Sequence, residues 1–215
     1  LIWAIKKETL VGWYENRILP VLIDRGMRNE VMTEHRARTV PRAAKTVLEV
    51  GLGSGLNIPY YSNKVDRLYG LEPSKDLLGR AASLADAAPF PVDLLAAPAE
   101  DIPLEDDTVD TVFSSWTLCS IPELKTALKE MRRVLRPGGQ FIFIEHGRAP
   151  DAKVAKWQDR ITPVLRMLAG CSPNKKMDEL ILQAGFEITL MEKAYLKGPK
   201  FISYHYIGQA RTPLA

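Results

Sequence analysis

The sequence predicts an α/β fold: a seven-stranded, mostly parallel sheet with one antiparallel strand near the C-terminus and helices on both faces. Three observations predict it. From Thr46 onward, short apolar runs alternate with helix-period segments, the pattern of βαβ units. The first run feeds a glycine-rich loop that opens the next segment, an arrangement suited to holding a ligand. The last two runs are joined through Gly198-Pro199, too short a link for a parallel crossover, so they should pair antiparallel.

The elements follow in order. Residues 1–45 read as a helical segment, with Trp3, Leu10, Trp13, Tyr14, Ile18, Leu22 and Ile23 among scattered charges and Pro20 as a breaker. A basic stretch closes it, carrying Arg25, Arg28, Arg36, Arg38, Arg42 and Lys45. Residues 46–215 then form the main domain. Its strands are Val47–Val50, Leu68–Leu71, Val92–Leu95, Val109–Phe113 and Gln140–Ile144, with helices at about 55–61, 74–87 and 123–135 between them. Arg136-Pro137-Gly138-Gly139 stops the third helix and turns the chain. Helices near 152–169 and 175–184 precede the final runs, Phe186–Met191 and Phe201–Gly208.

Composition narrows the functions. Among 215 residues, 46% are hydrophobic and 26% charged, which supports a full-sized globular core and excludes collagen, coiled coil and wholesale disorder. A net charge of +3 is too weak to argue for nucleic acid, so none is expected. Cys119 and Cys171 do not make a disulfide scaffold, which points to a reducing, cytoplasmic setting. No stretch reaches the ~18–20 apolar residues of a membrane span.

Glu49-Val50-Gly51-Leu52-Gly53-Ser54-Gly55 is spaced Gly-x-Gly-x-Gly, unlike the dinucleotide fingerprint or the phosphate loop with its lysine. Glu49 beside it would repel a pyrophosphate and welcome an ammonium. About 20 residues on, the second strand ends in Glu72-Pro73, where an acid can accept both ribose hydroxyls. Alone, Glu72 would read as a solvated helix cap; the glycine loop before it favours the ribose. The third strand leads into Ala97-Pro98-Ala99-Glu100, small residues that suit a flat ring or an ordinary surface turn.

The glycine loop, Glu72 and Ala99-Glu100, with Val109-Asp110-Thr111-Val112 and Leu135-Arg136-Pro137-Gly138-Gly139, resemble the class I S-adenosylmethionine-dependent methyltransferases, whose fold is Rossmann-like. The resemblance covers about residues 46–208. It implies S-adenosyl-L-methionine as cofactor, S-adenosyl-L-homocysteine as product, and no metal. It further implies that Glu49, Gly51, Gly53, Gly55 and Asn57 surround the methionine part, that Glu72 and Pro73 meet the ribose, that Ala99 and Glu100 edge the adenine, and that Ser114 and Ser115 complete the site. Many relatives carry an aspartate where this chain has Pro98.

A narrower likeness lies in Trp116-Thr117-Leu118-Cys119-Ser120-Ile121, Phe143-Ile144-Glu145-His146, Gly170-Cys171 and Tyr204-His205-Tyr206-Ile207-Gly208. These resemble the methyltransferase-like branch that holds the small-thiol S-methyltransferases and bacterial phospholipid-methyltransferase relatives. A small-molecule acceptor is implied: a fairly apolar nucleophile such as a thiol or sulfide.

His146, at the end of the fifth strand, is the candidate catalytic base, because histidine can take up a proton at neutral pH and a thiol gains from a nearby base. Its alternative is a structural role holding Glu145. Cys119 and Cys171 are expected as buried packing, too few to form a metal cluster alone. Trp116 and Trp157 can line an acceptor pocket or belong to the core. Tyr204 and Tyr206 should share one face of a strand, with His205 on the other. Residues 1–45 are expected as a lid, or as packing on the sheet's outer face. Their apolar residues and basic cluster would also suit peripheral contact with anionic lipid. Two rival functions stand beside thiol methylation: N-methylation of a phospholipid amine at a membrane surface, and cofactor binding without catalysis, as a regulator.

Overall fold

The computed structural model describes residues 24–214. The predicted helical segment before Asp24, with Trp13 and Tyr14, lies outside the described residues. Helix α1, Glu30–Thr39, begins at Asn29, whose side chain accepts from the Met32 N–H as an N-cap. A 3-10 turn at Val40–Arg42 leads into strand β1, Lys45–Val50.

The sheet then builds outward in both directions. Strand β2 is Val65–Leu71 and helix α2 is Lys75–Asp86, capped by Ser74. Strand β3 is Val92–Leu95, β4 is Val109–Ser115, helix α3 is Leu124–Val134 and β5 is Leu135–His146. Helix α4 spans Ala152–Ala169, from an Asp151 cap to Gly170 in the left-handed conformation. Helix α5, Met177–Gln183, strand β6, Glu187–Tyr195, the single-turn α6, Lys200–Ser203, and β7, Tyr204–Arg211, complete the chain.

The seven strands run in the order β3-β2-β1-β4-β5-β7-β6. Strands β1 to β5 pair in parallel, while β7 is antiparallel to both β5 and β6. Alternate residues of one strand feed opposite cores: Leu48 and Val50 pack on one side, Val47 on the other. Helices α3 and α5 bring Leu128, Met131, Met177 and Ile181 to the first core; α2 brings Leu78 and Ala81 to the second. This is the expected doubly covered sheet.

Two local expectations need correcting. A helix over 55–61 does not form; only Ile58–Tyr60 makes a 3-10 turn. Pro59 supplies no N–H there, and the Asn57 and Tyr61 side chains are drawn to Glu49. The stretch Arg136–Gly139 is not a turn before the strand. It bulges from within β5, which pairs at Leu135 with Val109 and resumes at Gln140 with Thr111.

Strands β1, β2, β3, β4 and β5 all end at one edge, at Val50, Leu71, Leu95, Ser115 and His146. Open parallel sheets bind ligands at this edge. The crossing from β1 outward, to β2 on one side and β4 on the other, opens a crevice above Val50.

Candidate active site

A cavity of about 1010 Å³ fills that crevice, with a lining mainly of apolar side chains. Its first half comes from the ends of β1, β2 and β3. Gly51 turns there at φ 78°, and a Cβ on it would collide with the Thr117 side chain. Gly53, at φ 59°, has open space where its Cβ would stand, so the backbone itself is the wall. Glu72 is buried at the rim; one carboxylate oxygen accepts from Gly53 N at 3.1 Å, the other from Ser74 N at 2.9 Å. Burial raises the Glu72 carboxyl above its ordinary value, and these two bonds oppose the rise. A carboxylate offers about four acceptor positions, so two remain free for a diol. Pro73, Leu77, Ala97, Pro98, Ala99 and Glu100 form the adjoining slot. An open backbone wall, an acid with free lone pairs and a narrow apolar slot fit the amino-acid, ribose and ring parts of S-adenosylmethionine.

Three residues expected in this half stand behind it. Glu49 is fully buried and does not line the cavity. Its oxygens accept from Asn57 Nδ2 at 2.7 Å and from the Tyr61 hydroxyl at 2.7 Å. Burial lifts its carboxyl to about 7, against those two bonds and the nearby Arg36. Glu49 therefore positions Asn57, which does line the cavity and also reaches Ser115 Oγ at 3.0 Å. Gly55 packs against Ile58 and Ala81, and the Ser114 hydroxyl turns away to Glu145. The acid that faces the cavity beside the glycine loop is instead Asp24, which accepts from the Ser54 hydroxyl and pairs with Arg28. Arg36, also in the lining, donates to Asn57 Oδ1 at 2.9 Å and to the Met27 carbonyl at 2.7 Å. Nothing in the charge pattern separated Asp24 and Arg36 from a solvated basic face.

The second half is assembled from distant segments. Trp116 leaves β4 at φ 51°, a costly conformation for a large side chain, and brings its indole to the cavity. Its Nε1 is buried without a hydrogen-bond partner among the described residues. The Arg36 guanidinium lies 5.2 Å from the indole ring centre. Glu145, fully buried at the end of β5, holds the loop that follows. It accepts from Thr117 N and Leu118 N at 2.9 Å each and from Cys119 N at 3.4 Å. Burial lifts this carboxyl to about 7 despite those bonds. Trp157 points elsewhere: it is 51% exposed on α4, and Ile202 takes part in the lining instead.

His146 lines the cavity, as its place at the strand end implied. Cys119 and Cys171 line it too, with their sulfurs 3.3 Å apart. The His146 Nδ1 lies 3.8 Å from the Cys119 sulfur and 4.0 Å from that of Cys171. The shared hydrogen bond pushes the Cys119 thiol up and draws the Cys171 thiol down to about 5, with His146 aiding the latter. Separated by 52 positions, the cysteines gave no spacing signal, and they were expected only as buried packing. His205, paired with His146 across β5 and β7, stacks its ring 4.6 Å away. Its Nδ1 donates to the Ser203 carbonyl, and burial, then His146, lower its pKa to about 3, so the ring is neutral. Tyr204 and Tyr206 share the other face of β7, their rings edge to face.

Residues 48–143 match a family model described as a methyltransferase domain. A phosphatidylethanolamine N-methyltransferase of Cereibacter sphaeroides is 35% identical over 115 residues, 51% of this chain and 56% of the relative. A human thiol S-methyltransferase is 29% identical over 171 residues, 77% of this chain and 70% of the relative. The matched part thus spans little more than half of the first relative's length and about 70% of the second's. A SAM-dependent methyltransferase from Thermotoga maritima superposes with a TM-score of 0.68 at 20% identity, over 93% of this chain and 99% of that one; this likeness bears on the fold alone. With the glycine loop at the edge of a seven-stranded Rossmann-like sheet, the match makes residues 48–143 a methyltransferase domain.

Proposed function

We propose that this chain methylates a small, fairly apolar nucleophile, a thiol or sulfide, with S-adenosylmethionine as donor. One observation carries the reading: His146 and the glycine loop line the same mainly apolar cavity. Bound S-adenosylmethionine supplies a methyl group on a sulfonium. Glu72, steadied by the Gly53 N–H, holds the ribose, and the glycine-loop backbone with Asn57, braced by Glu49 and Arg36, orients the amino-acid end. His146 takes the proton from the acceptor, which enters along Trp116, Ile121 and Ile202. The apolar lining keeps water out, and alignment of the two reactants supplies much of the rate, up to ~7–11 kcal/mol in well-ordered systems.

The N-terminal segment closes over the acceptor end in this reading. Asp24, Gly26, Met27 and Arg36 already line the cavity, and Met27 and Met32 pack against Trp116, Ile144 and Ile207. Removing residues 1–23 should cut turnover strongly while S-adenosylhomocysteine still binds; full turnover would sink the lid.

Phospholipid amine methylation is the second reading, supported by the 35% identity to the Cereibacter sphaeroides relative. One experiment separates the two: transfer of labelled methyl to small thiols and sulfide, against transfer to phosphatidylethanolamine vesicles over a salt series. Thiol products without vesicle labelling support the first reading. Salt-sensitive vesicle labelling without thiol products overturns it.

A further inference from the structure

Three soft or borderline donors converge where the cavity holds its acceptor end. The Sγ atoms of Cys119 and Cys171 and the Nδ1 of His146 form a triangle with edges of 3.3, 3.8 and 4.0 Å. A tetrahedral zinc ion with Zn–S of about 2.3 Å and Zn–N of about 2.0–2.1 Å would need edges of roughly 3.8 Å between sulfurs and roughly 3.6 Å from each sulfur to nitrogen. Each observed edge lies within about half an ångström of its ideal, the adjustment a side-chain rotation supplies. The sulfurs are also well beyond the ~2.05 Å of a disulfide.

The elements that carry the donors are tied together by bonds that involve none of the three side-chain donors. Ser172 N donates to the Cys119 carbonyl at 3.0 Å, which joins the segment after α4 to the loop after β4. Lys175 Nζ donates to the carbonyls of Leu118 and Ile121 at 3.1 and 3.0 Å, a second tie across the same gap. Glu145, next to His146 in the chain, grips the backbone N–H of Cys119 and its two predecessors. These ties hold the backbone of the three donor-bearing segments together whether or not an ion is bound. All three donors face the cavity, so a fourth position would open into it.

We propose that Cys119, His146 and Cys171 bind a zinc ion, whose open fourth position takes the acceptor as a thiolate. Two cysteines and a histidine with one exchangeable position is a donor set of catalytic rather than structural zinc. Two thiolates cancel the ion's charge, which suits a largely buried place. On entry of a thiol, its S–H bond breaks and a Zn–S bond forms; the displaced water leaves, and the proton passes to solvent at the cavity mouth, so in the zinc-loaded chain His146 serves as a ligand and the ion takes over the thiol activation assigned above to its imidazole. Only the identity of the fourth ligand rests on the thiol reading above; the three-residue site does not.

Cobalt(II) is the test probe, on the full chain under reducing conditions. Thiolate ligation should give a near-ultraviolet charge-transfer band and strong four-coordinate visible bands at one ion per chain, and zinc should displace the cobalt. Adding 2-mercaptoethanol should shift the visible bands. Cys171→Ser and His146→Ala, each checked by circular dichroism for an intact fold, should each weaken zinc binding at least tenfold. No cobalt band with two free thiols, or with a Cys119–Cys171 disulfide, overturns the site. A band indifferent to 2-mercaptoethanol overturns the open position. If the bands respond and no thiol is methylated, the function proposed above fails while the zinc site stands.

Discussion

The two halves of the cavity are built on opposite principles. The half with Gly51, Gly53, Glu72 and Ala99 comes from three strand ends and the loops that leave them, so each contributor is local in sequence. Its key carboxylate is held by two backbone N–H groups. The half with Trp116, Cys119, His146 and Cys171 draws on β4, β5 and the segment after α4, and one buried carboxyl, Glu145, keeps its loop in place. The first is a backbone mould that can serve any acceptor chemistry. The second is a side-chain assembly, and on the function proposed above specificity would reside there.

The largest expected effect strikes the second half. Glu145→Ala leaves the N–H groups of Thr117, Leu118 and Cys119 without their acceptor. At about 1–3 kcal/mol for each unsatisfied buried group, unfolding free energy should fall by about 3 kcal/mol or more. Urea denaturation measures it, and a loss under 1 kcal/mol would mean that this half is not hung from one carboxyl. Glu72→Ala tests the first half. Charge-assisted bonds contribute about 1.5–3 kcal/mol, so S-adenosylhomocysteine should bind roughly ten- to a hundredfold more weakly by calorimetry, with the fold intact. Unchanged affinity removes Glu72 from the cofactor site.

A pH series compares the braces of both halves. Glu49 and Glu145 each have a folded pKa of about 7, raised by burial from the ordinary 4.5. A raised folded pKa means stability fully present below about 4.5 and lost as pH rises through about 7. Melting temperature should therefore drop by several degrees between pH 5 and pH 8. Glu49→Gln should flatten part of that slope; an equally steep slope would assign the effect elsewhere. The smallest effect belongs to neither half. Arg67→Ala breaks an exposed pair with Asp93 and should cost under about 1 kcal/mol, less in high salt.

The sheet was readable because strand runs such as Val92–Leu95 carry their own pattern, and β3 occupies those residues. The glycine loop and Glu72 were readable for the same reason: a turn and an acid at fixed offsets after strands. Glu49 shows where such reading stops. Its offset was right but its direction was not, because the alternation along β1 sends its side chain beneath the loop, where Asn57 and Tyr61 satisfy it. The pairing of Cys119 with Cys171 could not be read at all. It depends on where α4 ends and how Lys175 folds the following loop back, both tertiary facts. Asp24 and Arg36 were hidden likewise, as two charges among many.

The sheet order also carries a consequence for how the protein is made. Strand β7 follows β6 in the chain yet lies between β6 and β5. A ribosome therefore releases β6 before it has any neighbour to join. Until β7 arrives, the Phe141–Ile144 edge of β5 stays unpaired, a run that is wholly buried in the finished fold. His146 meanwhile lacks His205 beside it. A nascent chain can pair β1 to β5 early, but it completes the wall beside His146 only when the seventh strand joins β5 and brings β6 with it.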